Sequence, residues 1–165
     1  MNTPQSDPVA SFLSQGLLKG FAGKTEFKTI QRSSFTMQSS HLVDGENLYH
    51  DEWAANLTGG GQELVRVAGR EYTRVYAGGT ISESVMAQMG ISKKDVMQFL
   101  ISSLNTAGEA TRLHQDYGPV STDGWTYHYT VLEKNDSIPM TTGKESISYK
   151  NEVVFIHVFV LCPIM

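Results

Sequence analysis

The chain has 165 residues, a formal net charge of −4, 40% apolar residues, 18% charged residues and one cysteine. That length suits one domain able to bury roughly 70% of the surface its unfolded chain exposes, and the low charge fraction argues against a disordered chain or a coiled coil. Scattered lysines and arginines supply none of the basic footprint of a nucleic-acid binder, and a lone Cys162 excludes an intrachain disulfide and a cysteine zinc cluster.

Met1 to Asp7 reads as a polar, frayed tail, without the basic and apolar regions of a signal peptide. Pro8 after Asp7 is a helix start, and Val9, Phe12, Leu13, Leu17 and Phe21 recur at helical spacing until Gly20 or Gly23 stops the helix. Thr25 to Ile30 alternates like a strand, and Ser33 to Ser40 reads as a weak edge strand or a loop. Asp44-Gly45 is a turn, Leu48 to Leu57 a strand, and Thr58 to Gly61 a glycine-rich turn. Glu63 to Val67 and Glu71 to Ala77 then pair through a tight turn at Ala68-Gly69-Arg70, and Gly78-Gly79 ends the block.

A short helix is expected within Thr80 to Met89. Ser92 with Asp95 three residues on forms a capping box ahead of the apolar stripe Val96, Phe99, Leu100 and Leu104, which Gly108 closes. Tyr117-Gly118-Pro119 marks an irregular connection. Trp125 to Leu132 alternates as a strand, Asn135-Asp136 turns, and Glu145 to Tyr149 pairs through Lys150-Asn151 with Val153 to Leu161. That last strand is apolar at nearly every position, the pattern of a central strand covered on both faces. The longest apolar run, Val153 to Ile164, is too short to span a bilayer, so a cytoplasmic location follows by elimination.

The expected fold is therefore α+β: one domain over residues 1–165, with a curved antiparallel sheet of two related three-strand meanders, about six or seven strands in all, packed on an N-terminal and a central helix. By analogy with cystatin-like folds, such a sheet wrapped on a helix leaves a concave pocket. The two strand blocks, 45–79 and 122–161, resemble each other. Tyr49-His50 and then Gly61-Gln62-Glu63 in the first match Tyr127-His128 and Gly143-Lys144-Glu145 in the second.

These motifs also carry a family resemblance. Leu48-Tyr49-His50-Asp51, Gly59-Gly60-Gly61-x-Glu63-Leu64-Val65, Gly69 and Tyr76-Ala77-Gly78-Gly79, with Ser39-Ser40-His41-Leu42 upstream, resemble a family of small bacterial proteins of unknown function. Gly118-Pro119, Tyr127-x-Tyr129 and Gly143-x-Glu145-x-Ile147 continue the match, which covers Phe12 to Val160. Members are sometimes fused behind helix-turn-helix regulators of the Xre type, so the resemblance implies a sensor or partner-binding role. It carries over neither a catalytic residue nor DNA binding, because the segment before Phe12 is too short for a helix-turn-helix. This chain also departs from the family pattern at Tyr117, where an arginine is usual, and at Leu161-Cys162-Pro163, where glycines are usual.

Four groups of residues are candidates for chemistry. Arg74 lies between Tyr72 and Tyr76 on one face of a strand, a setting that suits bidentate capture of an anion or, equally, a stacked and carboxylate-paired structural arginine. His50 and His128, if brought together with Glu63 or Glu145, would form a metal or proton-transfer site, although no local ligand spacing supports one and no metal or other cofactor is expected. Glu63 and Glu145, at matching positions of the two blocks, offer a paired acid and base or simply two turn glutamates. Trp53, Trp125, Tyr127 and Tyr129 suit a pocket, an interface or a core, and His114 and Asp116 sit in a loop. No nucleophile elbow or phosphate loop is present. Three functions stay open: a module that binds a small ligand or a partner, an enzyme using His50, His128, Glu63 and Glu145, and a homodimeric interaction protein.

Overall fold

The computed structural model describes residues 7–23, 27–112 and 115–165. The expected tail before Asp7 lies almost wholly outside these residues, as do Thr25 and His114. Helix α1 (Pro8–Lys19) begins where the Asp7 carboxylate accepts the Val9 amide at 2.9 Å and ends at Gly20. A meander follows: β1 (Lys28–Arg32), β2 (Phe35–Asp44), β3 (Asn47–Ala55), β4 (Thr58–Val67) and β5 (Arg70–Thr80). Helices α2 (Glu83–Gln88) and α3 (Lys93–Ala107) come next, then a 3-10 turn at Gly108–Arg112. The second run is β6 (Tyr117–Thr122), β7 (Trp125–Asn135), β8 (Met140–Tyr149) and β9 (Glu152–Ile164).

All nine strands belong to one antiparallel sheet, in the order β1-β2-β3-β4-β5-β9-β8-β7-β6. The two runs meet edge to edge, β5 on β9, with Tyr76 opposite Phe159 and Gly78 opposite His157. One face of this sheet carries the core. Val9, Phe12 and Leu13 of α1 pack with Tyr49, Val65, Val67 and Leu161. Val96, Leu100 and Leu104 of α3 pack with Tyr127, Tyr129, Ile147, Phe155 and Phe159. Each helix thus covers the inner face of one half, and the seam between them lies over β5 and β9. Among the described residues, no helix is long and apolar enough to cross a membrane.

Several expectations need correction. Among the described residues nine strands form where about six or seven were expected, and Ser33 to Ser40 contributes to a full internal strand, β2, rather than a loop or an edge. The glycines at 59–61 lie inside β4, not in a turn. A Cβ on Gly61 would lie 2.5 Å from the Tyr76 hydroxyl and 2.6 Å from the Glu52 carbonyl, so glycine here makes room for a neighbouring strand's side chain. Gly78-Gly79 also continues its strand, with φ of 147° and 148° that only glycine adopts without strain. Tyr117-Gly118-Pro119 opens β6, with a register shift between Tyr117 and Val120. Finally, β9 is covered on one face only: Ile156, Val158 and Val160 are 37–49% exposed on the side away from the helices. β-branched composition alone marked it as a strand, but not how many faces it buries.

Candidate functional site

Strand alternation sends Tyr49, Asp51 and Trp53 to the inner face and His50 and Glu52 to the outer one. Register then aligns Asp51, Glu63 and Arg74 across β3, β4 and β5. Three strands on, it aligns Tyr129, Glu145 and His157 across β7, β8 and β9. Five of these six, Asp51, Glu63, Arg74, Glu145 and His157, line the seam between α1 and α3, and the first four are at most 4% exposed.

Burying charge there requires partners. Arg74 Nη1 donates to Glu63 Oε2 at 2.7 Å, and the Tyr49 hydroxyl donates to Glu63 Oε1 at 2.9 Å. Tyr76 donates its hydroxyl to Asp51 at 3.1 Å, and Tyr127 donates to Glu145 at 3.1 Å. The Arg74 guanidinium also lies over the Phe159 ring, 4.6 Å from its centroid, and 5.6 Å from that of Tyr76. Burial pulls the Arg74 pKa down, but Glu63, Glu145 and the Tyr129 hydroxyl outweigh it, so the guanidinium is held more firmly charged than usual. Burial, reinforced by Asp51 and Glu63, pushes the Tyr76 hydroxyl far above the tyrosine range, which keeps it a donor.

Two donors are left over. Arg74 Nε and Nη2 are buried and have no hydrogen-bond partner among the described residues. They form one side of the guanidinium fork, the side that grips a planar two-acceptor group with parallel bonds. Arg74 lines a cavity of about 110 Å³ at the helix seam. Its polar lining includes Asp51, Glu63, Arg74, Tyr76, Glu145 and His157, while Leu17 of α1, Phe21 just beyond that helix, and Met97, Leu100 and Leu104 of α3 are apolar. A dry cavity of comparable size, about 150 Å³, holds a benzene-sized guest.

The candidates named from the sequence divide cleanly. Arg74, Tyr76, Trp53, Glu63 and Glu145 line this cavity, and Tyr127 supports it through Glu145. Tyr72 shares the Arg74 face but packs beside the α1 cluster rather than on the cavity. His50 and His128 are corrected. His50 faces outward, with Nε2 2.8 Å from Glu52, whose other partner is Arg32 at 2.5 Å. His128 alternates away from the inward Tyr127 and Tyr129 and pairs with Ser146. Neither meets Glu63 or Glu145, because one residue of register changes the face. Among the described residues, no group of three histidine, cysteine or acidic side chains is placed to hold a metal. Trp125 stacks on Phe99 at 5.4 Å, in the core of the second half. Asp116 binds the Val131 amide at 2.7 Å, a structural role for that loop residue.

Sequence reasoning missed Asp51 and His157 as site residues. The signal for Asp51 was its even spacing from Tyr49 and Trp53. For His157 it was the polar interruption of an otherwise apolar strand. No family model matches the chain, and neither a curated protein nor a solved structure matches it.

Proposed function

We propose that the protein is a small-ligand-binding module whose site is the cavity between α1, α3 and the inner face of the sheet. One observation carries this reading: a buried arginine, held by Glu63 and lining an otherwise largely apolar cavity, keeps two donors, Nε and Nη2, without a hydrogen-bond partner among the described residues. Leaving charged donors unmade in a protein interior costs about 1–3 kcal/mol or more each, and a ligand that accepts from them recovers that cost. The nearest groups support binding over catalysis. Tyr76 is locked as a donor to Asp51, and Glu63 is engaged by both Tyr49 and Arg74.

The arrangement of the two strand runs as related units supports the same location. Arg74 stands beside Glu63 as His157 stands beside Glu145. The chain shift that carries Arg74 onto His157 carries Tyr76 onto Phe159, and those two face each other across β5 and β9. Related units in this register would be exchanged by a local twofold through the seam. In each unit the glycine of Gly-x-Glu makes room for the aromatic residue on the next strand, and the glutamate accepts a tyrosine hydroxyl. Interfaces between related units are common positions for ligand sites.

The test is a thermal-shift screen of the intact chain against metabolites, repeated with Arg74→Lys, which retains the charge and loses the fork. A ligand at about 100 times its dissociation constant stabilises the fold by roughly 2.7 kcal/mol. A stabilising metabolite whose effect Arg74→Lys abolishes supports the module, whereas a screen with no stabilising compound counts against it.

A second reading has its own observation. Val75, Val158, Val160 and Ile156 form an exposed, uncharged strip on the outer face of β5 and β9. An uncharged strip meets its own copy across a twofold without unpaired charge, so a homodimer is the occupant it suits. Concentration-dependent mass by light scattering decides this.

A further inference from the structure

The chemistry lining the cavity narrows the ligand class, and this inference rests on the binding-module reading. The free edge of Arg74, Nε with Nη2, matches a carboxylate better than any other common planar acceptor. A ligand carrying only a carboxylate faces a difficulty. Among the described side chains, three carboxyl groups, Asp51, Glu63 and Glu145, share the site with this one guanidinium, which Glu63 already neutralises. A second anion on Arg74 would therefore sit in a field already weighted toward negative charge. An amine alone has the opposite fault, because carboxylates attract it but the arginine edge stays unsatisfied.

We infer that the ligand is a zwitterion, a free amino acid with an apolar side chain. Its carboxylate takes the Nε and Nη2 donors of Arg74. Its ammonium is drawn to the carboxylates of Asp51 and Glu145, both of which line the cavity. The side chain extends among Leu17, Met97, Leu100 and Leu104, where a polar substituent would find no partner. Because the ligand brings both charges, it fills the open donors without changing the net charge of the site.

Calorimetric titration of the intact chain with three compounds that share the isobutyl group tests this: L-leucine, 4-methylpentanoate and 3-methylbutylamine. The expected result is that L-leucine binds and each single-charge analogue binds about tenfold more weakly or worse, since each loses charge-assisted hydrogen bonds. Equal or tighter binding of the carboxylate alone, or of the amine alone, overturns the zwitterion while leaving the binding module intact. Binding of none of the three overturns the inference, and the metabolite screen then reports separately whether the module reading survives. Arg74 is also an ion-pair partner, so Met97→Trp, which fills the cavity from α3 without touching the pair, is the second variant. It is expected to keep the wild-type fold by circular dichroism and to lose L-leucine binding. Retained affinity in Met97→Trp would place the site elsewhere and overturn the inference.

Discussion

Arg74 and Glu63 are coupled tightly enough that neither is a neutral position to change. Removing one member of a buried pair leaves the other charge uncompensated, at a cost of about 3–5 kcal/mol. Arg74→Met is therefore expected to lower stability by about that amount in urea unfolding, and the double variant Arg74→Met with Glu63→Gln to lose clearly less than the sum of the two single changes. Tyr76 predicts a pH dependence at the alkaline end. Its folded pKa is raised above the unfolded value, so its contribution is complete below the ordinary tyrosine range near pH 10 and falls as pH rises beyond it. Ultraviolet titration of the chain's 7 tyrosines is expected to leave Tyr76 protonated until the protein unfolds, and Tyr76→Phe to flatten the alkaline loss of stability. A tyrosine whose ionisation preceded unfolding would contradict the burial argument.

At the scale of single elements, strands and helices depend on different kinds of information. Helix α3 is set locally. Ser92 and Asp95 exchange hydrogen bonds, with the Ser92 amide 2.8 Å and its hydroxyl 2.6 Å from the Asp95 carboxylate. Ser92→Ala is expected to cost about 1 kcal/mol in thermal unfolding. The Ser92 side chain and backbone hold the Asp95 carboxyl below the usual range. The cap is therefore at full strength above that range and weakens as pH falls through the lowered Asp95 value, a loss absent from Asp95→Asn. Strands β4 and β8 are set by their neighbours. A Cβ on Gly143 would run into the Phe159 ring, as one on Gly61 would into the Tyr76 hydroxyl. Gly143→Ala is expected to destabilise by about 1–3 kcal/mol through overpacking, and Phe159→Leu to recover part of that loss. Full destabilisation in the double variant would mean that the ring is not the obstacle.

For the whole molecule, the decisive feature is that the two runs of strands share one sheet with one covered face. The side-chain chemistry is thereby sorted: Asp51, Glu63, Glu145, Arg74 and His157 lie under the helices, while His50, His128 and the valine strip lie outside. His50→Ala and His128→Ala are accordingly expected to leave ligand affinity unchanged, and a loss in either would overturn this assignment of faces. Val158→Lys is expected to keep the fold and ligand binding while reducing the mass measured by light scattering at high concentration, if two copies meet on the strip.

The sequence by itself determined whatever depends on near neighbours along the chain. The Asp7 and Ser92 caps, the turn at Ala68-Gly69, the turn at Lys150-Asn151 and the alternation from Trp125 follow from local hydrogen bonding and backbone preference. Arg74 and Glu63 could be singled out in the same way, as charged residues within strands. Only the tertiary structure decided that these two pair with each other, that β5 joins β9, that the glycines at 59–61 belong in a strand, and that His50 turns away from the site. Each of these depends on strand register between segments far apart in sequence. Shifting that register by one residue exchanges the two faces while leaving the local pattern of the chain unchanged.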